Sequence, residues 1–193
     1  KNIHDTKDNF KQIKNNINDF IGLDQFKQSH QFSIKDLLIF NKKIYISFTE
    51  EIEENCWNTS IIYGDFNYQN IYFRKLFSSP QCIHSENNLD KEFEVNQSGG
   101  RIIPFDKENI LLSIGDYRSR YLAQDIKSVN GKIIKVNINN GNYQIISMGF
   151  RNPQGLYFDE ENNFILATDH GPFGGDEINL IETRKNEVKN YGW

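Results

Sequence analysis

A cation, an amide and a glycine-rich turn lie close together in the last quarter of the chain. The segment reads GFRNPQGLYFDEENNFILATDHGPFGGDEINL from Gly149 to Leu180. Pro153 fixes its own φ and favours an extended Asn152, so Arg151 and Asn152 are predicted to stand rigidly before a strand. A tight turn follows, built from Gly171, Pro172, Gly174 and Gly175. Such a turn can direct backbone carbonyls outward, so the two groups would frame a ligand site.

Composition places the chain among globular proteins and excludes some partners. It has 193 residues, of which 37% are apolar and 13% aromatic, and a net charge of −4. The acidic balance argues against a nucleic-acid partner, since phosphate binding needs clustered Lys and Arg. No apolar run approaches the ~18 residues that span a bilayer, and no leader is visible. The first residue is Lys, from which we expect that the beginning of the protein has been removed.

The sequence allows three states for its two cysteines, Cys56 and Cys82. They could form a disulfide, remain as two buried thiols, or be a chance pair. Neither has the spacing of a zinc ligand, so a structural zinc is not expected.

The chain begins with a helical pattern and continues with strand patterns. Apolar residues at helical spacing predict a short amphipathic helix over Asp5–Leu23, with Gly22 as its stop. Period-two or short apolar runs after it predict an antiparallel meander. These runs are 37–40, 43–48, 59–63, 71–77, 101–105, 110–114, 132–137 and 143–147.

An internal repeat supports a modular fold. Ile103–Asp116 superposes without gaps on Leu156–Asp169 at a shift of 53, which aligns Phe105 with Phe158 and Asp116 with Asp169. Units of about 50 residues, each a small antiparallel sheet, are typical of propeller blades. A β-sandwich is the alternative, because its strands also alternate. About three units fit the chain, whereas closure needs at least roughly four blades, so the chain is expected to be the first half of a larger protein.

Four motifs carry a resemblance to a known family. RNPQGL, DHGPFGGDEINLI, the closing NYGW, and QSGGRIIPFDKENILLSIGD from Gln97 to Asp116 resemble the soluble quinoprotein glucose/sorbosone dehydrogenases. The resemblance covers Gln97 to Trp193. It implies an all-β, six-bladed propeller that holds pyrroloquinoline quinone (PQQ) and calcium. We therefore expect an N-terminal helix and link over residues 1–30, and part of a propeller of four-stranded blades over 31–193 that continues beyond the chain end.

The resemblance also implies a changed catalytic position. The family's base, a histidine that takes the proton of the sugar hydroxyl, corresponds to Gln97. An amide can orient a hydroxyl but cannot accept its proton near neutral pH. The carboxylate that orients this base corresponds to Asp116, which is retained; read alone, Asp116 is a turn residue after Gly115. Three explanations stay open: a base from elsewhere, an altered chemistry, or a descendant that only binds.

Further site residues follow from the same resemblance. Arg151 and Asn152 match the pair that lies against the quinone, where a guanidinium would stabilise charge on a reduced oxygen. The carbonyls of Gly171 and Pro172 match calcium ligands. Asp176 matches a position that faces the sugar. His170 is interpreted as pocket wall and Arg101 as a structural residue.

The leading hypothesis is a PQQ-dependent sugar dehydrogenase with catalytic residues Gln97, Asp116 and Arg151. Its substrate would be a sugar or aldose-like alcohol, with an external electron acceptor, in the periplasm or outside the cell as in the family. The alternative is a non-catalytic propeller that binds a carbohydrate or a protein. A structural β-repeat domain without a ligand is a third possibility.

Overall fold

The computed structural model describes residues 12–22, 33–184 and 187–193, and these ranges are almost entirely strands and turns. One five-residue helix, α1 (Arg120–Gln124), and two 3-10 turns, Ile17–Asp19 and Val95–Gln97, interrupt the strands of these ranges. The strands are β1 (Lys14–Asn15), β2 (Ile34–Phe40), β3 (Lys43–Glu53), β4 (Cys56–Asp65), β5 (Asn70–Ile71), β6 (Arg74–Phe77), β7 (Ile83–His84), β8 (Gly99–Asp106), β9 (Asn109–Ile114), β10 (Lys132–Asn137), β11 (Tyr143–Met148), β12 (Pro153–Asp159), β13 (Phe164–Asp169), β14 (Glu177–Glu182) and β15 (Lys189–Asn190). No helix in this described part is long and apolar enough to cross a membrane.

Consecutive strands form three successive sheets, which we call blades I, II and III. Blade I has the order β2-β3-β4-β6, with β7 also paired to β4. Blade II has the order β8-β9-β10-β11, and β15 adds to β11 in parallel. Blade III has the order β12-β13-β14. Neighbours within each run β2-β3-β4-β6, β8 to β11 and β12 to β14 are antiparallel, as predicted for a meander.

The first strand of each blade contacts the first strand of the next. Strand β8 packs against β2 on one side and against β12 on the other. Phe105 of β8 and Phe158 of β12, which the repeat aligns, have ring centroids 4.6 Å apart. Sheets drawn from consecutive strands and joined through their first strands are the blades of a β-propeller. The propeller prediction is confirmed, and the β-sandwich alternative is wrong.

Blade II is buried on both faces, which explains its continuous apolar strands. Along β9, Ile110, Leu112 and Ile114 belong to the core shared with blade I. Leu111 belongs to the core shared with blade III. Successive strand residues point to opposite faces, so alternate positions of one strand fill two cores. Full burial of each such side chain contributes about 1.5–3 kcal/mol.

The repeated aspartates form the same hairpin turn in blades II and III. Asp106 accepts hydrogen bonds from the backbone nitrogen of Glu108 and the side-chain amide of Asn109, at 2.9 and 2.8 Å. Asp159 accepts two hydrogen bonds from Asn162, one from the backbone and one from the side chain, at 3.0 and 2.9 Å. Carboxylates favour such turns because they satisfy backbone donors. The sequence repeat is therefore a structural repeat.

Residues 12–22, the described part of the predicted N-terminal helix over Asp5–Leu23, contain a 3-10 turn where a helix was expected. Residues 12–22 hold β1 and the turn Ile17–Asp19, with no α-helix, and the rest of the predicted helix lies outside the described residues. Its apolar side chains pack against the core of blade I. Asn16 bonds the backbone of Phe73, accepting from its nitrogen at 2.7 Å and donating to its oxygen at 3.3 Å. Packing and this tether replace the helix that the spacing indicated.

Cys56 and Cys82 form a disulfide, which settles their open pairing. The bond closes a loop with a sequence separation of 26 residues beside the buried Trp57.

Replacing both cysteines by Ser is expected to lower the free energy of unfolding by about 3 kcal/mol, because the unfolded chain gains conformational freedom. Urea unfolding followed by tryptophan fluorescence would measure it. A reductant should weaken the parent protein to a similar degree and leave the variant unchanged; equal midpoints for parent and variant would contradict the prediction.

Candidate functional site

Gln97, Asp116 and Arg151 meet where blades II and III adjoin. Gln97 ends the 3-10 turn before β8, Asp116 follows β9, and Arg151 precedes β12. The amide orientation of Gln97 is assigned from its neighbours. In that orientation its nitrogen donates to Asp116 Oδ1 at 3.2 Å, and its oxygen accepts from Arg151 Nη2 at 2.8 Å and from Arg118 Nε at 3.2 Å. Three residues proposed from sequence are thus directly connected.

Asp116 is fully buried and fixed from several sides. Its Oδ1 accepts from the Arg118 backbone nitrogen at 2.7 Å, and its Oδ2 accepts from Trp193 Nε1 at 2.6 Å. Its own backbone nitrogen donates to the Arg151 carbonyl at 2.9 Å. Burial raises the pKa of Asp116 to about 6, and the hydrogen bonds and the charge of Arg151 oppose this rise. The carboxylate is therefore held in place at a cost in desolvation.

The pH dependence of stability should report the burial of Asp116. Because its pKa is raised from 3.8 to about 6 in the folded state, the folded protein binds this proton more tightly than the unfolded chain. The protonated carboxyl of Asp116 thus contributes fully to stability below about pH 4. This contribution, about 3 kcal/mol in the free energy of unfolding, is lost as the pH rises through about 6. Asp116→Asn should flatten that part of the profile.

Urea unfolding of the parent protein and of Asp116→Asn between pH 4 and 7 would measure the difference. Asp169 is also buried, and its pKa is also raised, mainly by burial. Since it is present in both proteins, its contribution cancels in the comparison. Parallel pH profiles for the two proteins would contradict the role given to Asp116.

Only glycine fits at position 115, because the backbone of Gln97 lies directly against it. A Cβ on Gly115 would lie 2.0 Å from the Gln97 carbonyl oxygen, so any larger residue would push Gln97 away. Tyr117 and Arg118 follow with φ values of 52° and 69°. This left-handed pair turns the chain so that Arg118 reaches Gln97. Sequence reasoning missed Arg118, because positive φ at two non-glycine residues has no reliable sequence signal.

The guanidinium of Arg151 is held by several groups besides Gln97. Its Nη1 donates to the His170 carbonyl at 3.0 Å, and it lies over the Trp193 ring, 5.5 Å from the ring centroid. Its backbone nitrogen donates to Asp169 Oδ2 at 2.8 Å. Trp193 thus contacts both Asp116 and Arg151, which gives the closing NYGW motif a function in the site that sequence analysis did not assign.

Asn152 joins blades II and III. Its backbone nitrogen donates to Asp169 Oδ1 at 2.6 Å, and its side-chain oxygen accepts from the Gly99 nitrogen at 3.1 Å. The residue is buried. Its side-chain nitrogen is therefore the atom that could donate to a ligand.

The predicted glycine-rich turn forms the loop between β13 and β14, beside Arg151. The Gly171 nitrogen donates to Asp176 Oδ1 at 3.1 Å, and the Gly175 nitrogen donates to the Pro172 carbonyl at 3.0 Å. Asp176 Oδ2 also lies 3.3 Å from His170 Nδ1. His170 and Asp176 line a cavity of about 320 Å³. Asp176 therefore holds its own loop together while it faces this cavity.

The donor atoms suit part of a calcium site and part of a quinone site. Calcium takes six to eight oxygens, and the loop offers the carbonyl oxygens of Gly171 and Pro172. The described residues contain no group of three His, Cys, Asp or Glu that could hold a metal, so further ligands would have to come from other atoms. For a quinone, the chain offers the fixed guanidinium of Arg151 and the amide of Asn152, both donors suited to oxygen.

Comparison with known proteins identifies the class. The family described as Glucose / Sorbosone dehydrogenase matches residues 38–193. Aldose sugar dehydrogenase YliI of Escherichia coli strain K12 is 27% identical over 169 residues, which cover 79% of this chain and 42% of that protein. Quinoprotein glucose dehydrogenase B of Acinetobacter calcoaceticus is 30% identical over 130 residues, which cover 51% of this chain and 26% of the relative. The chain thus spans less than half the length of either relative.

Solved structures support the same fold. The apo form of the soluble aldose sugar dehydrogenase of Escherichia coli aligns with a TM-score of 0.60 at 27% identity, and covers 79% of this chain and 45% of that one. The PQQ-bound form of aldose sugar dehydrogenase from Streptomyces coelicolor aligns with a TM-score of 0.60 at 23% identity, and covers 79% of this chain and 44% of that one. The chain belongs to the glucose/sorbosone dehydrogenase family.

Proposed function

We propose that the whole protein is a quinoprotein dehydrogenase that oxidises a sugar or an aldose-like alcohol with PQQ and calcium, and passes electrons to an external acceptor. The observation that carries this proposal is the fixed guanidinium of Arg151, which contacts Gln97 and the His170 carbonyl at once. It lies between the position of the family's base and the turn that offers carbonyl oxygens. Family membership, and the relatives that are named as sugar dehydrogenases, support the same reaction class.

PQQ, when bound, would accept the hydride removed from the sugar carbon. Arg151 and Asn152 would hold it, and the positive charge of Arg151 would stabilise negative charge at a reduced oxygen. The carbonyls of Gly171 and Pro172 would contribute to the calcium site. Asp176 would face the sugar beside His170.

Gln97 would orient the sugar hydroxyl, since it can donate and accept hydrogen bonds but cannot take a proton. Asp116 accepts a hydrogen bond from the side-chain nitrogen of Gln97, and Arg118 donates one to its side-chain oxygen, so the amide is fixed. His170, whose Nδ1 lies 3.3 Å from Asp176 Oδ2, is an imidazole at the site and so a candidate for a base supplied from elsewhere than position 97.

The alternative is a propeller that binds a carbohydrate or a protein partner without catalysis. The amide at position 97 favours it, because the group that would take the proton is absent there. The same cluster would then act as a polar binding surface.

An activity assay on the whole protein separates the two functions. We expect dye reduction with at least one aldose once PQQ and calcium are added, together with a rise in melting temperature. Binding of PQQ without turnover on any sugar would favour the alternative. If neither PQQ nor calcium shifts the melting temperature, the dehydrogenase proposal fails and a structural β-repeat domain without a ligand is favoured.

We also propose that residues 31–193 act as one propeller unit and that the protein works in the periplasm or outside the cell. The Cys56–Cys82 disulfide supports an oxidising compartment. Fractionation of cells, with the redox state of the two cysteines determined in each fraction, would test the location.

A further inference from the structure

Each of the four backbone polar groups of Arg151 and Asn152 has a hydrogen-bond partner. The two nitrogens donate to the carboxylate of Asp169, from Arg151 to Oδ2 at 2.8 Å and from Asn152 to Oδ1 at 2.6 Å. The Arg151 carbonyl accepts from the Asp116 nitrogen at 2.9 Å. The Asn152 carbonyl accepts from the His170 nitrogen at 3.3 Å. The dipeptide is therefore fixed between the ends of β9 and β13.

Two of these four bonds depend on the side chain of one residue, Asp169. The nitrogens that reach the two carbonyls are main-chain atoms, which any residue other than proline would supply. The two oxygens that accept from the dipeptide belong to the Asp169 carboxylate, which is 7% exposed. A buried carboxylate loses its hydration, and two short hydrogen bonds to adjacent N–H groups offset part of that cost. The residue type at position 169 thus determines where the dipeptide lies.

The effect of Asp169 extends through the dipeptide to the Gln97 cluster. The side-chain oxygen of Asn152 accepts from the Gly99 nitrogen at 3.1 Å, which ties the dipeptide to the first strand of blade II. The guanidinium of Arg151, carried on the fixed backbone, donates to Gln97 at 2.8 Å. The positions of this guanidinium and of the Asn152 amide therefore both depend on the carboxylate at position 169.

We infer that Asp169 is a positioning residue, which holds the side chains of Arg151 and Asn152 where they can bind an oxygen-rich cofactor. Its carboxylate acts through the two backbone nitrogens. That the cofactor is a quinone rests on the proposed function. That Asp169 fixes the dipeptide does not rest on it and is measurable without any cofactor.

Asp169→Asn tests the inference with a change of almost no volume. One carboxylate oxygen becomes an NH₂ group, which cannot accept, so the nitrogen of Arg151 or Asn152 loses its acceptor. Amide hydrogen exchange of residues 150–154 in the whole protein, without cofactor, should become about tenfold faster. PQQ affinity, measured by quenching of tryptophan fluorescence, should fall about tenfold, because a small displacement of binding groups is costly.

Asp159→Asn is the matched control in the same blade. Asp159 also accepts two hydrogen bonds, both from Asn162, but lies at the other end of β12, about 20 Å away. This variant reports what the loss of a structural aspartate does to blade III. It should change the exchange of residues 150–154 and the PQQ affinity by less than about twofold each.

A double-mutant cycle gives a signal that a merely structural role would not produce. If Asp169 acts on PQQ through the dipeptide, its replacement should matter much less once the Arg151 guanidinium is gone. In Arg151→Met, adding Asp169→Asn should weaken PQQ binding by at most about threefold, the part that remains through Asn152. If Asp169→Asn does not fold, Asp169→Glu takes its place in every arm, since it keeps both acceptor oxygens and displaces them.

The outcomes separate this inference from the proposed function. Faster exchange at residues 150–154, with non-additive losses of PQQ affinity, supports both. If the parent protein binds no PQQ, the proposed function fails, and the exchange comparison alone decides whether Asp169 positions the dipeptide. Exchange that is unchanged in Asp169→Asn, or equal in Asp159→Asn, would overturn the inference. So would losses of PQQ affinity that simply add in the double variant.

Discussion

Replacing Gln97 by His is expected to raise kcat/KM for an aldose by about 10²- to 10⁴-fold in the PQQ-loaded protein, because it supplies a base where there is an amide. Asp116 Oδ1 lies 3.2 Å from the side-chain nitrogen at position 97, so it can orient an imidazole placed there. Arg118 and Arg151 on the other side would disfavour the protonated imidazole and keep it able to accept a proton. Steady-state dye reduction measures the change.

Two variants control for this result. Gln97→Met removes the amide without adding a base, and should not raise turnover. His170→Gln shows whether His170 already accepts the proton: if it does, the parent protein loses turnover in this variant and Gln97→His restores it. No gain from Gln97→His, although PQQ is bound, would mean that position 97 is not the base position of this protein.

Arg151→Met is expected to weaken PQQ binding by about a hundredfold, because charge-assisted hydrogen bonds to an oxyanion contribute about 1.5–3 kcal/mol each. Methionine keeps most of the stem, so loss of the guanidinium is the main change. Quenching of tryptophan fluorescence would measure the affinity. Arg118→Met is the matched control: it also contacts Gln97 but does not contact His170, and it should change the affinity less than about fivefold.

The variant must be folded for the comparison to count. Arg151→Met loses the hydrogen bonds to Gln97 and the His170 carbonyl, so circular dichroism and melting temperature should accompany the titration. Equal loss of PQQ affinity in both arginine variants, with both folded, would contradict a specific contribution of Arg151.

The sequence repeat predicted most of the fold because the repeated residues form equivalent turns and packing contacts in neighbouring blades. Asp106 and Asp159 align at a shift of 53 and form equivalent turns, and Phe105 and Phe158 align and pack together. Equivalent positions of neighbouring blades face similar surroundings, so the same residue types recur. Asp116 and Asp169 follow this rule: both are buried carboxylates at the ends of second strands, and both accept backbone hydrogen bonds.

The N-terminal segment could not be predicted in this way. Its apolar spacing indicated a helix, but helical propensity is weak compared with tertiary packing. In residues 12–22 the apolar side chains pack against the core of blade I from an irregular backbone tied to Phe73. A pattern of apolar residues shows which side chains are buried and does not always show the backbone that buries them.

The candidate site was predicted in part. The family resemblance placed Gln97, Asp116 and Arg151 in one site, and the three are in contact. Arg118 could not be found, because its contact with Gln97 depends on the positive φ values of Tyr117 and Arg118.

A crystal structure of the whole protein with PQQ and calcium would test the central claim most directly. We expect PQQ against the Arg151 guanidinium and calcium on the carbonyls of Gly171 and Pro172, with Gln97 facing the sugar side. PQQ bound at a place that contacts neither Arg151 nor this loop would contradict the account.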